Sequence, residues 1–185
     1  MSPGGALLDQ IAPRPRGRVS RCRVMPASRQ RLLGEVSTMS VQRTLDLAGS
    51  GKRVQRHVLG RLAPEVRRGP AFTLPLRWGA TILATRPLQE VVVGRAVRGA
   101  ARRIVSGDTR GPFVVGSVRL DPVLDGAATN VGVELRVVGS GLAARAIALL
   151  LRPLWPLAGA AAGRWLLALD RAVGGCSDGS PDGAR

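Results

Sequence analysis

At 185 residues the chain is long enough for one domain with a buried core and too short for two ordinary domains besides the tails at its ends. Apolar residues make up 45% and charged ones 22%, which excludes a generically disordered chain, and two cysteines are too few for a disulfide-stapled scaffold. The formal charge of +16 is carried almost wholly by arginine, Lys52 being the single lysine. Such a charge points to nucleic acid or an anionic membrane surface as partner. The same excess of Arg, Ala, Gly and Pro, with no tyrosine, also fits the coding bias of a GC-rich bacterial genome, so charge alone chooses neither.

Residues 1–39 interleave prolines with arginines and show no sustained period. They are predicted to be a basic, disordered extension, either an arm for nucleic acid or the product of a start placed upstream of Met25 or Met39. The segment lacks the continuous apolar core of a secretory signal, so the expected location is cytoplasmic, with peripheral membrane attachment as the alternative. Residues 40–173 are the predicted domain, and 174–185, "GGCSDGSPDGAR", a flexible tail. Cys22 and Cys176 fall in the two predicted tails.

In chain order, "SVQRTLDLAG" is read as a first strand, with Val41, Thr44 and Leu45 in imperfect alternation. The following "LAGSGKRVQ" resembles a phosphate loop, since Gly51 and Lys52 are in place. Asp46 stands where that loop needs its first glycine and Arg53 where it needs a magnesium-binding hydroxyl, so a plain glycine turn is expected. In "KRVQRHVLGRLAPEV", Val54, Val58, Leu59 and Leu62 recur at helical spacing until Pro64. His57 lies there among arginines with no orienting carboxylate nearby, which predicts a surface histidine.

From Phe72 the period becomes two, with Phe72, Leu74, Leu76 and Trp78 on one side, and a strand made irregular by Pro75 is expected. Further strands are predicted in "ATILAT", "QEVVVGRAV", "ARRIVSG", "PFVVGSVRLDPV" and "AATNVGVELRVV". In the last, Val131, Val133, Leu135 and Val137 alternate with Asn130, Gly132, Glu134 and Arg136. Asp125-Gly126 marks the hairpin before it. Strands in succession without intervening helices make an antiparallel meander.

The rest is helical. Ser140 stands at the expected cap, and Ile147, Leu150, Leu151 and Leu154 form a stripe continued by Trp165, Leu166, Leu169 and Val173. Pro153 and Pro156 must kink or break it. Residues 146–163 approach the length of a short membrane span, which Arg152 and the two prolines oppose. A lid over the sheet is the better use of such a helix.

The run "LPLRWGATILATRPLQEVVVGRAVRGAARRI" and the closing "SVRLDPVLDGAATNVGVELRVVGSGLAARAIALLLRPLWPLAG" resemble the START-like superfamily, which includes polyketide cyclase/dehydrase and lipid-transport proteins. Ala127-Ala128-Thr129 here replaces that family's usual Gly-Thr. The resemblance implies an α+β helix-grip fold, a curved antiparallel sheet packed around a long C-terminal helix, with a cavity for an apolar or amphipathic small molecule. Candidate cavity residues are Leu76, Trp78, Val91, Val93, Val133, Leu135, Leu151 and Trp155. A solid core has the same apolar pattern and stays open as the alternative.

No residue set meets the needs of nucleophilic, metal or paired-carboxylate catalysis, Glu65, Glu90, Asp108, Asp121, Asp125 and Glu134 being scattered in sequence. The expected function is non-catalytic binding or transport of an apolar ligand, without cofactor or metal. Alternatives are a cyclase- or aromatase-like enzyme, a nucleic-acid binder relying on phosphate contacts because aromatic platforms are few, and a peripheral membrane protein.

Overall fold

The most regular alternation in the chain forms an inner strand of the sheet. The structure is a computed structural model describing residues 6–77, 79–96, 112–123 and 126–174. Strand β5 (Ala128–Val138) pairs antiparallel on one side with β4 (Phe113–Val123) and on the other with β1 (Gly17–Met25). With β3 (Glu90–Ala96) and β2 (Thr81–Arg86), the curved sheet runs in the order β1-β5-β4-β3-β2. Gly126 has φ of 90°, the left-handed backbone that the glycine of the β4–β5 connection was expected to supply. Asp125, the other half of that turn signal, the strand expected in "ARRIVSG", Asp108, Trp78 and Cys176 lie outside the described residues.

Strand β1 corrects the reading of residues 1–39 as a disordered arm. Its positions Val19, Arg21, Arg23 and Met25 face the C-terminal helix and Arg18, Ser20, Cys22 and Val24 the other side, so the polar residues hide the period of two. Helix α1 (Leu7–Ile11) precedes it, and α2 (Arg29–Thr38) follows, capped by the Ser28 hydroxyl accepting from the Arg31 amide.

The strand expected at residues 40–49 is helix α3 (Val41–Leu47). Val41, Thr44 and Leu45 stand at i, i+3 and i+4, one helical face, and the Ser40 hydroxyl caps the helix by accepting from the Arg43 amide at 3.1 Å. Helices α4 (Lys52–Gly60) and α5 (Pro64–Arg68) follow; Pro64 opens α5, where a missing N–H costs nothing. The glycine loop thus joins two helices, with Asp46 accepting from Gln55 at 3.0 Å, and His57 is exposed on α4.

The strand expected from Phe72 is also helical, a 3-10 turn over Ala71–Thr73 running into α6 (Leu74–Arg77). Pro75 falls in the first turn of α6, where its fixed φ favours the helix.

The C-terminal region breaks as the prolines require. Helix α7 (Gly141–Leu151), entered through Ser140, passes through a 3-10 turn at Arg152–Leu154 into α8 (Trp155–Gly174). By length and composition Gly141–Gly174 could cross a membrane. Its second half is instead part of the core: Leu166, Leu169 and Val173 of α8 are buried with Met25, Leu32, Met39, Leu120 and Val131.

α8 is seated on β1. A Cβ added to Gly17 would stand 2.7 Å from Trp155 Cζ2 and force a shift, and one added to Gly159 would make a tight contact at 3.2 Å from Val19 Cγ2. Asp170 of α8 pairs with Arg23 of β1 at 2.7 Å, and Arg31 of α2 donates to the Val173 carbonyl at 2.7 Å.

Two outcomes are expected. Met25→Ala, at a wholly buried position, should cost about 2–5 kcal/mol in denaturant unfolding. A chain beginning at Met39, which removes β1, should lose the cooperative melt of the full chain.

Candidate functional site

Antiparallel register sorts the sheet into two chemically different sides. Towards α8, one cross-strand row is Thr85, Val91, Val118, Val133 and Arg21, and the next is Ile82, Val93, Gly116, Leu135 and Val19. The space over Gly116 is taken by its neighbours: a Cβ there would stand 3.3 Å from Leu135 Cδ1 and 3.9 Å from Val93 Cγ2. At the β1 end the rows run beneath Gly159 of α8. At the other end they are open, Val91 being 39% and Ile82 49% exposed. The result is an apolar surface, covered at one end and accessible at the other.

The opposite side carries α1: beneath that helix Val92, Phe113, Val115 and Val138 are buried with Leu8 and Ala12 in a second apolar cluster, and toward β1 the side is polar. Glu90 on β3 is buried, and its two carboxylate oxygens accept from the backbone amides of Leu7 (2.7 Å) and Leu8 (3.1 Å), the amino end of α1. Arg136 on β5 is buried at the carboxyl end, donating to the carbonyls of Ala12 (2.6 Å) and Leu8 (3.4 Å) and to Asp9 (2.5 Å). A carboxylate at the amino end and a guanidinium at the carboxyl end satisfy the backbone groups a helix leaves unpaired. Burial by itself would lower the Arg136 pKa; hydrogen bonds to Glu134 and Asp9, with their charges, outweigh it and raise the value. Glu134 also pairs with Arg18 at 2.5 Å, and Arg119 with Asp121 at 2.6 Å. A cleft of about 500 Å³ lies among these groups. Its charges are largely spent on one another and on α1.

Four of the eight candidate cavity residues, Val91, Val93, Val133 and Leu135, fall on the apolar side in the two adjacent rows. Leu76 is half-buried in α6, and Leu151 half-buried at the end of α7. Trp155 lies over Gly17 at the start of β1 and borders a separate cleft of about 450 Å³ with Arg16, Arg145, Ala148, Leu149 and Arg152. Trp78 lies outside the described residues. Sequence reasoning missed Ile82, Gly116 and Val118 in the rows; the alternation of Val114, Gly116, Val118 and Leu120 was the signal for the last two. Glu90 and Arg136 as clamps had no sequence signal, because their partner is a helix some 80 to 130 positions away.

No protein-family model matches the sequence, and no curated protein matches it. Among solved structures, a protein of Mesorhizobium loti is similar at 13% identity, over 85% of this chain and 96% of that one, with a TM-score of 0.37. A protein of Nitrosospira multiformis is similar at 13% identity, over 83% and 93%, with a TM-score of 0.38. A Thermus thermophilus protein gives 13% identity, over 86% and 99%, and a TM-score of 0.32. At these scores the likeness carries no functional argument.

Removing Arg136 leaves the Ala12 carbonyl without its side-chain donor and Glu134 with Arg18 as its remaining partner. Arg136→Ala should therefore cost about 1–3 kcal/mol. Hydrogen exchange should localise the effect, with the Leu7 and Leu8 amides losing protection while β4 and β5 keep theirs.

Proposed function

We propose that this chain is a non-catalytic binding or transport protein for an apolar or amphipathic small molecule, held on the α8 side of the sheet over Gly116. The observation that carries the reading is the pair of apolar rows, Val91-Val118-Val133 and Val93-Gly116-Leu135, closed by α8 at one end and open at Val91 and Ile82. Apolar area left in contact with water is a standing cost of about 25 cal/mol per Å², which a seated apolar molecule removes.

A cyclase-like enzyme would need an acid or base beside the ligand. Glu90, Asp121 and Glu134 all belong to the opposite side of the sheet, so a molecule over Gly116 meets none of them. That separation favours carriage over catalysis.

The test is saturable binding of the neutral apolar dye Nile red, alongside native mass spectrometry of the purified chain for a co-purifying apolar molecule. Val91→Lys puts a charge at the open end, on a half-exposed side chain whose replacement leaves the melt nearly unchanged. It should weaken dye binding by about tenfold or more, because seating the dye would then desolvate an ammonium. Dye uptake that does not saturate, or that ignores Val91→Lys, would reject the reading.

A further inference from the structure

Helix α7 and the start of α8 present a row of leucines to solvent. Leu142, Leu150 and Leu157 are 80%, 73% and 66% exposed, and Leu149 and Leu154 are exposed too. Leu142, Ala146, Leu149, Leu150, Pro153 and Leu157 recur at three- and four-residue steps, which puts them along one side of the helical segment. The opposite side, Ala144 and Ala148 with the half-buried Leu151 and Trp155, faces the protein. Five exposed leucines on one element are a patch rather than scattered surface residues, and a patch of that kind marks a partner.

The flank of the patch identifies the partner. Arg145 and Arg152 stand four and three residues from Leu149, and with Arg16 and Trp155 they line the cleft of about 450 Å³. Among the described residues none of these three arginines makes an ion pair, although other arginines of this chain do. Three guanidinium groups without an ion-pair partner among the described residues, and an indole, beside an apolar strip match the layered chemistry of a bilayer surface, anionic headgroups above acyl chain. We infer that the α7 face, from Leu142 to Leu157 with Arg16, Arg145 and Arg152, docks this protein onto an anionic lipid bilayer.

A second copy fits the face less well, because pairing two such faces would bring two sets of these arginines together in a chain of net charge +16. A membrane span over residues 146–163 fits less well still: it would withdraw Trp155 and Gly159 from their seats on β1. The helix therefore lies on the membrane plane with its leucines inserted.

The experiment is co-sedimentation of the full chain with phosphatidylcholine vesicles, with and without phosphatidylserine. Binding is expected with phosphatidylserine, to fall as salt rises, and to be weak without it. Leu149→Ser/Leu150→Ser and, separately, Arg145→Glu/Arg152→Glu should each weaken it by about tenfold or more, charge reversal acting through the lipid surface potential. All four positions are exposed, so the melts should match the wild type; Leu157→Ser gives an independent check on the leucine arm. Three results would overturn the inference: no sedimentation with phosphatidylserine vesicles, sedimentation indifferent to the leucine variants, or a solution dimer abolished by Leu149→Ser/Leu150→Ser. Nile red binding over Gly116 should survive both double variants, so this inference and the carrier reading can fail separately.

Discussion

The close approach of α8 to β1 is the constraint on which the rest of the molecule depends. Gly17 accepts the Trp155 indole, Gly159 accepts Val19 and Arg21, and Met25 ends the strand in the core beside Leu166 and Leu169. At Gly17 a side chain would force the Trp155 ring to shift, and packed interiors tolerate such shifts poorly; at Gly159 it would make a tight contact. Strand β1 meanwhile satisfies one whole edge of β5. The strand thus carries the helix and completes the ladder at once. The Arg23–Asp170 pair adds direction more than energy, since both side chains are partly solvated.

Seating α8 at the β1 end decides what happens to each side of the sheet. Towards α8, Val131 and Val137 of β5 are buried, while Val91 of β3 stays 39% exposed. On the far side, α1 covers Val92, Phe113, Val115 and Val138 together with the buried Glu90 and Arg136. Glu90 and Arg136 grip the two ends of that short helix, and a helix of this length has no independent stability. The charges there serve the fold, which is why a concentration of carboxylates and arginines need not mean chemistry. A buried carboxylate receiving two backbone amides is a satisfied group.

The proline-induced break between α7 and α8 separates two uses of one apolar segment. Beyond Trp155 the stripe faces the core. Before it, Leu142, Leu149 and Leu150 face outward, because the segment has left the sheet's shadow. A single sequence period continues through both halves, and only the seat on β1 distinguishes the half that builds the interior from the half that shows its leucines to the surroundings.

Several parts were legible in the residues alone. The alternation in β5, the Asp-Gly turn signal, the helical spacing of α4 and the prolines between α7 and α8 are local patterns whose consequences are settled within a few residues. The α+β class, the antiparallel meander and the long C-terminal helix followed from them. The misread parts share a cause. Residues 41–48 and 72–77 hold apolar residues at spacings compatible with two periods, and a serine cap and an N-terminal proline turned each to helix. Strand β1 was hidden because its arginines lie on both sides, their stems packed and their heads paired or solvated. Which side of the sheet would be partly open, and which would be closed by a clamped helix, could be decided only by tertiary structure. That choice rests on where α1 and α8 land, and their seats are Glu90, Arg136, Gly17 and Gly159, residues whose importance comes entirely from partners far away in the chain.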